Sequence, residues 1–367
     1  MLHAQQPSVL ARRTLNQRGF VALVAAHERY LRGGDGSRAV LKFVCAPEVD
    51  GQRRRLNDAD FTGANLCGVH FAGCHLERAS LYCADLSGAD LRAANLRRAD
   101  LRGANLAGAS LNGAALDEAD MRPGYIACVD RTSALHIFPH RTNRSQGGGG
   151  LGADFTNCSL RGASLCGANL KGADFSGAIL DGAELAGARL VGAVFRDTVL
   201  TGLSPASLGL SADQLGGCIF EPTASAFTRA ASLAAMIEQA GEWVASGGRH
   251  GAPAVVDRED LRPLHSALRG RALTGLSARG ARAIGMDFSG SELQGAAFDG
   301  ADLRGAVFEH ADLRGASFRG AKLSHARFTR ADLEPLFFSD GRIQRPDFAG
   351  ATRERTDFSD TVLAAHA

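Results

Sequence analysis

No run of apolar residues in the sequence is long enough to cross a membrane. Met1 to Arg18 also lacks the apolar centre of a secretory signal. Without secretion, the eight cysteines are expected as reduced thiols in a cytoplasmic protein, and the sequon Asn157-Cys158-Ser159 carries no meaning. Charge of one sign is missing too. Lys and Arg number 41 against 39 Asp and Glu, which argues neither for nucleic acid as a partner nor for an acidic mimic. Trp, Tyr and Met are scarce, whereas Gly supplies 45 of the 367 residues. Such a chain suits one long solenoid or a few modules better than a single compact core.

Catalytic motifs are absent as well. The glycines from Gly147 are followed by no Gly-Lys-Ser/Thr, so a flexible linker fits them better than a phosphate loop. His265-Ser266, with Asp257 and Glu259 nearby, has no nucleophile-elbow setting. An enzyme module hidden in 201–285 would be short for a catalytic domain and would lack a motif.

What is present is a period of five. From Leu56 a large apolar residue returns at Phe61, Leu66, Phe71 and every fifth position to Met121. Two residues before each stands a small one, such as Ala59, Ala64 or Cys74, and between them a short polar one, such as Asp60, Asn65 or Asp85. Gly often closes the unit, as at Gly63 and Gly68. On an α-helix five residues advance about 500°, so the leucines would form no stripe. On a straight strand an odd period would alternate faces. The spacing works when the chain turns once per repeat, with both apolar residues inward and Gly at the corner. The register returns from Phe155 to Leu200 and from Phe288 to Leu333, then degrades through Phe338, Ile343, Phe348 and Phe358.

The A(D/N)LxG pattern resembles the pentapeptide-repeat family. That resemblance implies a mainly β fold, a right-handed quadrilateral β-helix of twenty-residue coils, here with short helical caps. The expected organisation is a helical cap and lead-in over 1–55, a first β-helix over 56–200, a linker with a helical cap over 201–285, and a second β-helix over 286–363. Residues 122–150 read as a loop projecting from the first solenoid. Two stacked solenoids are the other reading. Glu28 to Leu41 is echoed by Glu242 to Val256, each after a helical segment and ending at a Gly pair, which suggests a duplicated unit of cap plus coils.

Cys67, His70, Cys74 and His75 look like a metal set, but the register sends them to different sides of the coil. No metal or cofactor is therefore implied. Stacking places Glu77-Arg78, Arg97-Arg98 and Asp117-Glu118 on one side of successive coils, and likewise Arg314 with Glu334 and Asp299 with Arg319. Mutual compensation is preferred here to a partner-facing stripe.

Partner choice should lie in loops and outward residues. The candidates are His136, Phe138, His140 and Arg141 in the loop, and Phe337 and Phe338 near the end, where Pro335 and Pro346 interrupt the repeat. An exposed apolar end suits homodimerisation through the C-terminal end, or a distorted last coil that caps its own core. The function implied is a non-catalytic interaction scaffold with an unknown protein partner. Some members of the family mimic DNA and protect a type II topoisomerase (gyrase), which is the alternative. Residues 56–121 carry nine acids and five bases, and 1–55 carry four acids and ten bases, a poor imitation of regularly spaced phosphates.

Overall fold

The computed structural model describes residues 13–129, 135–139, 152–211 and 213–363. The chain divides into two compact units, Met1–Glu221 and Pro222–Ala367, each with its own core.

In the first unit the residue between the two inward ones pairs in parallel with the residue twenty positions on, as in Asp60 with Ser80 and Ser80 with Asp100. Its neighbours exchange backbone bonds across that step: the Phe61 amide donates to Ser80 (2.7 Å) and the Gly63 amide to Tyr82 (2.8 Å). Each five-residue side then closes with a tight turn, as where Ala64 N–H donates to the Phe61 carbonyl at 2.9 Å. Four sides make one coil, and stacked coils satisfy one another's backbone.

The corner residue takes a positive φ, which glycine adopts without strain. Ala93 adopts it at 54°, between Gly73 and Gly113 at 66° on the adjoining coils. Ala93→Gly is therefore expected to raise stability by about 1 kcal/mol. The check is a higher urea midpoint at unchanged slope.

The ladder crosses the long insertion. Ser110, Ala115 and Asp120 pair with Asp154, Ser159 and Ser164, 44 residues on rather than 20, so 24 residues leave the coil and return to it. They include β1 (Tyr125–Val129) and β2 (Leu135–Pro139), an antiparallel pair with Tyr125 opposite Pro139.

Winding begins earlier than residue 56, at Val40, which pairs with Asp60. In the second unit it begins at Val255, which pairs with Ser277, and not at residue 286. These coils hide in the sequence because small and large residues trade places. Val44 and Ala46 are both buried, and so are Leu276 and Ala278. At Gly51 the reason is direct, since a Cβ there would come within 2.7 Å of the Phe71 ring and 3.0 Å of Phe20.

Helix α1 (Gln17–Leu31) covers the first of these coils. Asn16 caps it by accepting the Gly19 amide, and Phe20, Val24 and His27 form its buried stripe. The second unit opens on its own helix. After the short turn α2 (Pro205–Leu208) comes α3 (Ala224–Ala245), capped by Thr223 and burying Leu233, Ile237 and Ala240 at the same spacing. Leu208 and the partly buried Leu215 and Phe220 pack on the far end of the first core.

The core of the second unit is a double column of rings. Phe288, Phe308, Phe328 and Phe358 stack at centroid distances of 4.9, 4.8 and 5.0 Å. Phe298, Phe318 and Phe348 stack beside them at 5.2 and 4.9 Å. That interval is about the spacing between strands. Phe338 and Ile343 do not continue the core register. Instead β3 (Leu336–Phe337) and β4 (Ile343–Gln344) form a second hairpin, with Phe337 opposite Ile343. The coil resumes at Asp347, which pairs with Ser317 thirty residues before it. Pro335 and Pro346 flank this excursion and cannot supply the amide that a coil side needs.

Candidate interaction surface

The outward residues begin with the aspartates of the repeat. Asp60, Asp90, Asp100, Asp120 and Asp312 each accept, on Oδ1, the backbone N–H two residues on. That amide lies on the outward bend of a side and would otherwise lack a partner. At Ser159, Ser277 and Ser317, which stand in the same slot, an aspartate from the preceding coil takes that part. Asp117 accepts from the Ser159 hydroxyl and the Arg161 amide, Asp257 from Ser277 and Arg279, and Asp299 from Ser317 and Arg319.

Arginines two residues on engage many of the same carboxylates. Arg92, Arg102 and Arg122 grip Asp90, Asp100 and Asp120 through both nitrogens of the fork. The Arg92 guanidinium accordingly holds the Asp90 carboxyl below its ordinary range. Between coils, Arg78 pairs with Asp58, Arg97 with Asp117 and Arg98 with Glu118 at 2.8 to 2.9 Å. Arg314 pairs with Asp312 and Asp332 instead of Glu334. Asp299 takes the Arg319 amide, while the Arg319 guanidinium pairs with Asp347. The acids on these faces are therefore tied to backbone or to arginine.

Cys67, His70, Cys74 and His75 do not converge. Cys67 is exposed, whereas Cys74 is buried and donates to the Gly51 and Arg54 carbonyls. Burial pushes its thiol up to about 12. Among the described residues no group of three His, Cys, Asp or Glu is placed to hold a metal ion.

Two features stand off the coils. The first is the β1–β2 hairpin, whose base is fixed by one side chain. The Tyr82 hydroxyl donates to the Tyr125 carbonyl at 2.7 Å and accepts the Tyr125 amide at 3.0 Å, and Arg102 lies over the Tyr82 ring. Gly103 and Gly124 pack so closely that a Cβ on either would strike the other strand's backbone or Cys83. Of the loop candidates, His136 and Phe138 lie on β2, paired with Cys128 and Ile126. His140 and Arg141 lie outside the described residues. Tyr82 escaped sequence reasoning because it occupies an ordinary polar slot of the repeat.

The second feature is the β3–β4 hairpin. Phe337 is 69% exposed and Ile343 55%, so the cross-strand pair presents apolar surface. Phe338 is half-buried beneath the Arg342 guanidinium, 4.8 Å from the ring centre. Gln344 anchors the hairpin by donating to the Gly315 carbonyl at 2.6 Å.

A profile of pentapeptide repeats matches in eight copies, over residues 55–92, 84–122, 152–185, 178–204, 272–305 and 301–334. The chain belongs to the pentapeptide-repeat family. Similar solved structures include a pentapeptide repeat protein from the Arabidopsis thaliana thylakoid lumen, at 30% identity over 35% of this chain and 61% of that one, with a TM-score of 0.20. HetL, involved in heterocyst differentiation regulation in the cyanobacterium Nostoc, is 19% identical over 95% of this chain and 97% of its own, with a TM-score of 0.19. QnrB1, a plasmid-mediated fluoroquinolone resistance protein, is 20% identical over 55% and 90%, with a TM-score of 0.23. The chain thus spans 61% of the first of these relatives. No curated protein matches. Among the described residues of this pentapeptide-repeat protein, no helix is long and apolar enough to cross a membrane.

Proposed function

We propose that this pentapeptide-repeat protein is a non-catalytic interaction scaffold, its coils wound right-handed in a cytoplasmic setting, with the β1–β2 hairpin as the element that selects a protein partner. The observation that carries the reading is the anchoring of the hairpin at Tyr82 on a ladder that continues past it on three sides of the coil, at Ser110, Ala115 and Asp120. A rigid base holds the backbone of an extended element away from the coil, which lowers the entropy lost on binding. On this reading His136, Phe138, His140 and Arg141 contact the partner, and Phe337 with Ile343 forms a separate apolar contact suited to a homodimer at the C-terminal end. Mimicry of DNA gains nothing from carboxylates such as Asp90 and Asp100, which are occupied by backbone amides and arginines.

The test is a deletion that respects the coil. Removing Gly124–Gly147 takes out 24 residues and keeps every outward column in line, whereas removing 122–150 would turn all later sides by one corner. A partner captured by the intact chain and lost with this deletion, at unchanged β-structure by circular dichroism, is the expected result. Equal capture by both forms would move recognition to the coil faces.

A further inference from the structure

The two caps share a design and differ in polarity at one buried position. Helix α1 buries Phe20, Val24 and His27, while α3 buries Leu233, Ile237 and Ala240 in the same places. Each is also met by a glycine beyond its end. A Cβ on Gly36 would overlap the Ala26 carbonyl and Tyr30 amide, and one on Gly251 the Gln239 carbonyl and Trp243 amide. Where the second cap has the methyl of Ala240, the first has an imidazole with no exposed surface.

His27 joins the helix to the coil through both nitrogens. Nδ1 accepts the Ala39 amide at 3.1 Å, and Nε2 faces the Asn57 carbonyl at 2.9 Å. An amide can only donate and a carbonyl only accept, so the bonded ring is neutral with its proton on Nε2. Both partners are backbone groups of the coil, and Asn57 precedes Asp58, whose amide is tied to the next coil at Glu77. They have little freedom to turn away. A second proton would put an N–H at Nδ1 against the Ala39 N–H, two donors facing each other in a buried site.

The charged groups around the ring do not reverse this. Asp58 of the coil and Glu28 of α1 favour the cation, and Arg38 of the lead-in opposes it. Asp58 is held by Arg78, and Glu28 by Arg54. Burial outweighs them, with the net effect of lowering the pKa from the ordinary value.

We propose that α1 is an acid-released cap: protonation of His27 detaches the helix from the first coil and uncovers that coil's edge, while α3 stays docked. A histidine whose folded pKa is depressed supports the docked state fully above its ordinary pKa of about 6.5, and that support is lost as pH falls below it. The apolar surface beneath includes Leu41 of the first coil and Phe61 and Phe71 of the next, which lie beside Phe20, together with backbone groups of the kind that pair with added strands.

Hydrogen exchange on the full chain at pH 7.5 and 5.5, followed by mass spectrometry, tests this. Comparing α1 with α3 in the same molecule cancels the intrinsic effect of pH on exchange. Protection of α1 relative to α3 is expected to fall between the two conditions, by up to about tenfold, the limit set by one group with its open-state pKa near 6.5. In His27→Gln the ratio is expected to stay flat. An α1-to-α3 ratio unchanged with pH in the unaltered protein overturns the proposal, and so does a fall that persists in a docked His27→Gln. Should that variant lose the cap at both pH values, the ratio in the unaltered chain decides alone.

Discussion

Phe308→Ala lowers the stability of the second unit by about 4 kcal/mol, a large effect for a single core truncation. The ring is fully buried and makes four aromatic contacts. It stacks on Phe288 and Phe328 at 4.9 and 4.8 Å, and meets Phe298 and Phe318 edge-on at 5.7 Å. Truncation removes those pairs and leaves a hole that stacked coils cannot close, because each is tied at its corners to the next. Phe308→Leu should lose much less, about 1 to 2 kcal/mol, since leucine fills the same inward slot at Leu76, Leu81 and Leu86. Chemical unfolding followed by Trp243 measures both, because the only tryptophan lies in this unit. Equal losses for Ala and Leu would mean that volume matters little and ring stacking accounts for the stability.

Gly36→Ala is the second large effect. The expected loss is about 3 kcal/mol, concentrated in the docking of α1. The added methyl would fall on the Ala26 carbonyl and Tyr30 amide, which are helix backbone and cannot rotate aside. Gly34→Ala is the matched control. Its nearest atom, the Arg29 carbonyl oxygen, is 3.3 Å away, so a small shift would accommodate it. Exchange of the α1 amides separates the two, with protection lost in Gly36→Ala and largely kept in Gly34→Ala.

The period of five made the coils legible because two inward slots and a glycine corner leave an unmistakable mark wherever slot sizes are regular. Where the sizes are exchanged, as at Val44 with Ala46 or Leu276 with Ala278, the mark vanishes although the backbone winds unchanged. What fixes the coil is inward burial, and one slot can be large when the other is small. The repeat also suggested core positions for Phe338 and Ile343, which the flanking prolines turn out into a hairpin. Sequence alone could place the first insertion but not its register, because strand pairing over so short a stretch depends on where the chain leaves and re-enters the ladder. Tyr82 and His27 were invisible for another reason. Each is a single polar residue in an ordinary slot, and its importance lies in groups 43 and 30 residues away.

Two excursions, of 24 and 10 residues, leave the ladder and return to it in step with the sides that continue past them. The corners therefore act as ports. A segment gained there needs only matching points of exit and return, so lineages built on this winding can exchange whole recognition elements while inheriting every other face intact.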